Sequence, residues 1–90
     1  MTRLLVRTSQ FKRDYRRRVL SPKVEAALTD VLRRLHAGAS FETHHRDHPL
    51  KGSWSGVRDC HVQPDLLLLD EVHGDCVILR RPGSHSEIFG

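Results

Sequence analysis

Residues 66–69 are four consecutive leucines, set between Pro64-Asp65 and Asp70-Glu71. Successive side chains of a strand point to opposite faces, so a strand with no polar position in four must be buried on both. The flanks place this strand in a sheet. VRDCHV at 57–62 alternates, Gln63-Pro64 turns, and His73-Gly74-Asp75 turns again into CVILRR at 76–81. Three antiparallel strands in a meander follow, with the leucine strand in the middle.

Upstream, RLLVR at 3–7 is a short branched apolar run, read as a first strand that joins the same sheet, and Thr8 or Ser9 then caps a helix. Phe11, Tyr15 and Val19 recur every four residues, while Lys12, Arg13, Arg16, Arg17 and Arg18 fill the other faces, so one narrow buried stripe is expected on a basic helix. Ser21-Pro22 starts a second helix, Ser as cap and Pro at a position whose missing N–H is not needed. Val24, Ala27, Leu28, Val31, Leu32 and Leu35 then form one core-facing stripe, and Gly38 stops the helix. A helical hairpin covering one face of the sheet gives an α+β, two-layer domain.

Ninety residues supply one core, so residues 1–90 are read as a single domain. No apolar run approaches the roughly 20 residues that span a bilayer, and MTRLLVRTSQ lacks the apolar segment of a signal peptide. The expectation is a cytoplasmic protein with no membrane partner. Cys60 and Cys76 match no zinc spacing and are expected as buried free thiols. The net charge of +4 is unevenly spread: residues 1–46 hold 11 Lys/Arg against 4 Asp/Glu, a balance of +7, and residues 47–90 hold 4 against 7, a balance of −3. An anionic partner is implied, met by the upstream half. The Arg16-Arg17-Arg18 run is open between a solvated helix face and a nucleic-acid contact.

Between Gly38 and Gly56 the helical period disappears into a His-, Pro-, Gly- and Ser-rich loop with room for one short strand. The loop, the strand ends and the C-terminal segment carry His48, His61, Asp65 and His85, with Arg81 and Phe89, and the meander would bring them to one end of the sheet. Histidines titrating near neutrality can take a proton from a ribose 2′-hydroxyl and return one to a 5′-oxygen, and an arginine can stabilise the charge that develops on the phosphate. Several histidines also suit a metal, and His44-His45-Arg46-Asp47-His48 is a local candidate. However, His45 and His48 share a face only on a helix, which Pro49 opposes. The expectation is therefore no metal and no cofactor. His36, His44, His45 and His73 are expected at the surface, Trp54 in a core or lid, and Arg58 paired with Asp59 or Asp47.

The run DHPLKGSWSGVRDCHVQPD at 47–65, together with RRPGSHSEIFG at 80–90, resembles the YafQ branch of the RelE/ParE toxin superfamily. The likeness extends over nearly the whole chain. It implies a RelE-like microbial RNase fold and a type II toxin that enters the A site of the 70S ribosome and cuts translated mRNA without a metal. A cognate antitoxin would neutralise it. By the same resemblance, His48, His61, Asp65 and His85 are the acid–base set, Arg81 contacts the scissile phosphate, Phe89 positions the nucleotide, and Lys12, Arg13, Arg16, Arg17 and Arg18 face ribosomal RNA. Leu66 stands where the family usually has an aromatic residue, and Asp70-Glu71 where it has an aromatic followed by a base, so a weakened toxin that only docks on its partners is one alternative. A ParE-like gyrase inhibitor is the other.

Overall fold

The computed structural model describes residues 2–18, 20–42 and 45–89. Strand β1 (Leu4–Arg7) leads into helix α1 (Ser9–Arg17) and helix α2 (Pro22–Ala37). A two-residue strand β2 (His48–Pro49) and a 3₁₀ turn (Gly52–Trp54) precede β3 (Arg58–Gln63), β4 (Leu66–His73) and β5 (Cys76–Gly83), and helix α3 (His85–Phe89) follows. The sheet order is β1-β5-β4-β3-β2. β3, β4 and β5 form the expected antiparallel meander, β1 runs parallel to β5, and β2 adds an antiparallel edge beside β3.

The leucine strand is the centre of this sheet. Leu66 and Leu68 face the helical hairpin, packed with Phe11, Leu28, Val31, Leu35, Cys60 and Leu79. Leu67 and Leu69 face the other way into a smaller core with Val57 and Ile88, edged by Leu50 and Trp54. Leu67, Leu68 and Leu69 are each 0% exposed, so the run is buried on both faces. The second face is closed by the 3₁₀ turn and α3, a helix in a segment to which the sequence reading assigned no element.

The caps follow from the residue types. Thr8 Oγ1 accepts from the Phe11 N–H at 3.1 Å and donates to the Leu79 carbonyl at 2.8 Å, so one side chain starts α1 and pins it to β5. Ser21 caps α2 with Pro22 at its first turn, and Gly38 ends it at φ 67°, a left-handed conformation glycine adopts at no steric cost. In α1, Phe11 is buried, but Tyr15 is more than a third exposed and hydrogen-bonds Glu25 through its hydroxyl. Val19, third in the expected stripe, lies outside the described residues.

Two further expectations change. Cys60 is fully buried, but Cys76, the first residue of β5, is only half-buried, both as free thiols. Burial pushes the Cys60 thiol up to about 12, which leaves it unreactive. His45 is not a surface residue: it is 2% exposed, accepts the Glu42 N–H at Nδ1 and meets the Phe41 ring edge-on. The loop after α2 folds back on that helix and needs an acceptor for its own backbone, which a loop histidine supplies. His36 and His73 are exposed, and His44 lies outside the described residues.

Candidate active site

Odd-numbered positions of β3 and β4 point away from the hairpin, and this alternation places Asp59 and His61 beside Leu69 and Leu67 on the second face. β2 pairs His48 with Asp59. At the far end of the meander Asp65 occupies the β3–β4 turn, and His85 opens α3 directly after β5. Four segments distant in sequence thus bring His48, His61, Asp65 and His85 together, with Asp59 beneath them.

The three imidazoles form a row. His61 lies in the middle, its ring centroid 6.3 Å from that of His48 and 5.5 Å from that of His85. His48 Nδ1 is 2.6 Å from the Arg46 carbonyl. A carbonyl can only accept, so Nδ1 carries the proton and Nε2, 3.7 Å from Asp59 Oδ2, is left as the basic nitrogen. His85 repeats the arrangement: Nδ1 is 2.9 Å from Asp65 Oδ1, which also accepts the His85 backbone N–H at 3.2 Å, and Nε2 is left as the basic nitrogen. Those two hydrogen bonds hold the Asp65 carboxyl below its ordinary range.

Electrostatics differ along the row. His48 and His85 are about half exposed, whereas His61 is 8% exposed and Asp59 3%. Burial pushes the His61 imidazole down and the Asp59 carboxyl up, and each partly offsets the other through its charge. Asp59 Oδ1 and His61 Nδ1 are buried without a protein hydrogen-bond partner. Such groups are uncommon in folded proteins.

The aromatic and cationic residues lie at the rim. Phe89, 42% exposed, meets Trp54 edge-on at 5.9 Å. Arg81, on β5 opposite Leu69, has its Nε 3.1 Å from Asp14 Oδ2 of α1. Arg58 holds Asp47 through hydrogen bonds of 3.2 and 2.7 Å, the structural pairing expected for it. Lys12, Arg13, Arg16 and Arg17 are exposed on α1, while Arg18 is half-buried and paired with Glu87 of α3. Among the described residues no group of three or more His, Cys, Asp or Glu side chains is arranged to hold a metal ion.

Sequence reasoning overlooked Asp59, Asp14 and the helical nature of 85–89. The last had a signal. Ser84 Oγ accepts the Glu87 N–H at 3.2 Å while the Glu87 carboxylate accepts the Ser84 N–H at 2.9 Å, the reciprocal capping pair spelled by S-x-x-E at 84–87. Of the departures from the family pattern, Leu66 and Asp70 face the hairpin and not the histidine row, Leu66 inside the main core, while Glu71 has the opposite parity and pairs with Arg80.

A five-stranded mixed sheet with a helical hairpin on one face and a row of histidines on the other has the RelE-like toxin fold. A family model described as "Bacterial toxin of type II toxin-antitoxin system, YafQ" matches residues 3–90, and the chain belongs to that family. The mRNA interferase toxin YafQ of Escherichia coli (strain K12) is 44% identical over 46 residues, 51% of this chain and 50% of that protein. The putative toxin YafQ of Haemophilus influenzae is 54% identical over 51 residues, 57% of this chain and 46% of that protein. The chain thus spans about half the length of the curated relatives it matches. Among solved structures, a copper-bound point-mutant toxin from Helicobacter pylori superposes with a TM-score of 0.88 at 35% identity, covering 99% of this chain and 100% of that one. The YafQ of the E. coli DinJ–YafQ toxin–antitoxin complex superposes with a TM-score of 0.81 at 27% identity, with 100% of both chains covered.

Proposed function

We propose that this protein is the toxin of a type II toxin–antitoxin pair and an endoribonuclease that cuts translated mRNA in the ribosomal A site. The observation that carries the reading is the row of three imidazoles, two of them with a ring nitrogen fixed by an acceptor and the other nitrogen left for chemistry. In the proposed reaction a neutral imidazole takes the proton of a ribose 2′-hydroxyl and the 2′-oxygen attacks phosphorus. The bond from phosphorus to the 5′-oxygen breaks, and a protonated imidazole returns a proton to that oxygen. The products are a 2′,3′-cyclic phosphate and a 5′-hydroxyl.

His85, oriented by Asp65, is assigned one proton transfer. His48 and His61, with Asp59 stabilising their charged forms, share the other. Arg81 is assigned to the phosphate and Phe89, braced by Trp54, to a base, since aromatic faces stack on nucleobases. Every proton-transfer group is a side chain of this chain, so the reaction proposed needs no metal. The exposed cations of α1 suit ribosomal RNA. A cognate antitoxin is inferred by analogy with the E. coli relative solved with DinJ. A cytoplasmic site of action follows from the ribosome, and no helix among the described residues is long and apolar enough to cross a membrane.

Primer extension on mRNA in a purified translation reaction, with and without ribosomes, tests the reading. New 5′ ends that require ribosomes and vanish with His85→Ala are expected. No cutting by the unaltered protein would overturn it and favour gyrase inhibition or a binding role alone.

A further inference from the structure

The cations around the histidine row are mostly committed. Arg58 holds Asp47 and Arg18 holds Glu87, and Arg81, assigned above to the scissile phosphate, lies against Asp14. Arg46 differs: it is exposed and, among the described residues, has no carboxylate partner. It is also the residue whose carbonyl receives the His48 Nδ1–H, and its φ of 48° places it in the left-handed region. Its charge reaches His61, where it adds to the effects that disfavour the imidazolium.

Beside Arg46 a cleft of about 470 Å³ opens between α2 and the outer edge of β3, which β2 covers only at Arg58 and Asp59. Ala27, Val62 and Pro64 supply an apolar wall, Asp30 and Gln63 polar groups, and His61 is shared with the acid–base row. The volume lies within the roughly 300–1,000 Å³ of small-molecule sites. Asp30 is already paired with Arg34. The Gln63 carboxamide, half-buried and without a hydrogen bond to the described residues, presents a donor and an acceptor in one plane.

We propose that this cleft seats the nucleotide adjoining the scissile bond, with Arg46 binding its phosphate and Gln63 reading the edge of its base. The proposal rests on the nuclease reading above. An apolar wall for the face of a base, an amide for its edge and an uncommitted guanidinium for its phosphate are the three contacts a nucleotide requires. Arg46 would then link binding to chemistry, since a displacement of its backbone moves the acceptor that fixes the His48 tautomer.

The test is fluorescence anisotropy with a labelled oligoribonucleotide made uncleavable by a 2′-deoxy substitution at the mapped cut position, titrated across a range of salt. Arg46→Gln should lower the slope of log affinity against log salt by about 0.7, the value of one phosphate contact on a single strand, and Arg46→Lys should restore it. Gln63→Leu should leave that slope alone and change the ranking of the four bases beside the cut position. Thermal melts of each variant check that it is folded. An unchanged slope in Arg46→Gln, or no binding by the unaltered protein, overturns the subsite. Cleavage of translated mRNA by the same preparation is scored separately, so cutting with an unchanged slope removes this proposal alone, whereas no cutting removes the nuclease reading beneath it.

Discussion

Asp70 is the most buried carboxylate in the described chain. It is 1% exposed on β4 on the hairpin side, and neither carboxyl oxygen has a hydrogen-bond partner in the protein. Burial, with the charge of Asp47 adding to it and those of Arg58 and Arg3 opposing it, pushes its carboxyl up from 3.8 to about 7. A group whose folded pKa lies above its unfolded value binds more protons folded than unfolded between the two. Stability is therefore highest below about 4 and falls as pH rises toward 7. From pH 5 to pH 8 the fall covers two units below the folded pKa, each about 1.36 kcal/mol, or about 3 kcal/mol in all. Asp70→Asn keeps the shape and removes the titration. Urea unfolding of both proteins at the two pH values should show the unaltered protein losing about 3 kcal/mol more than the variant, against total stabilities of roughly 5–15 kcal/mol. Every other titratable group is common to both proteins, so the difference isolates Asp70. Parallel pH profiles would refute the argument and mean that Asp70 remains ionised in the fold, balanced by Arg58 and Arg3.

A Cβ on Gly83 would lie 3.1 Å from Ile88 Cγ1 and 3.3 Å from Cδ1, so in Gly83→Ala the Ile88 side chain must give by a few tenths of an ångström. A loss of about 1 kcal/mol by urea unfolding is expected, with RNA cutting at 25 °C little changed. Thr8→Ala removes both the cap of α1 and the bond to the Leu79 carbonyl, and should cost about 0.5–2 kcal/mol in urea unfolding. Asp59→Asn removes the carboxylate that favours the charged form of His61. Burial then lowers that imidazole further, and the acid limb of the pH–rate profile for cutting should move to lower pH. A limb that stays in place would take His61 out of the proton transfer.

What the sequence made legible and what it hid have a common physical origin. The leucine strand, the Ser21-Pro22 start and the Gly38 stop are local: each is decided by residue type and spacing within one element, and each stands in the structure where that spacing puts it. The parallel pairing of β1 with β5 depends on chain path, and no pattern within RLLVR carries it. Burial of His45 depends on where a loop returns after leaving α2, which composition cannot supply. Asp59 illustrates the same limit at the site. It sits between Arg58 and Cys60 in an alternating strand, and from sequence it is one more candidate partner for an arginine. Only the pairing with β2, which sets His48 opposite it, makes it the buried carboxylate beside the histidine row.

Two of the three departures, Leu66 and Asp70, bear on activity in the same terms. A side chain on β4 reaches the histidine row only from the Leu67 and Leu69 face, because alternation sends its neighbours to the hairpin. Leu66 and Asp70 have the other parity. Their substitution alters how the hairpin packs and how stability varies with pH, while the atoms around His48, His61, Asp65 and His85 keep their neighbours. A toxin weakened at these positions would be weakened through the rigidity of the sheet beneath the site. Its defect would then follow melting temperature across Leu66 variants, with the pH profile of cutting left unchanged.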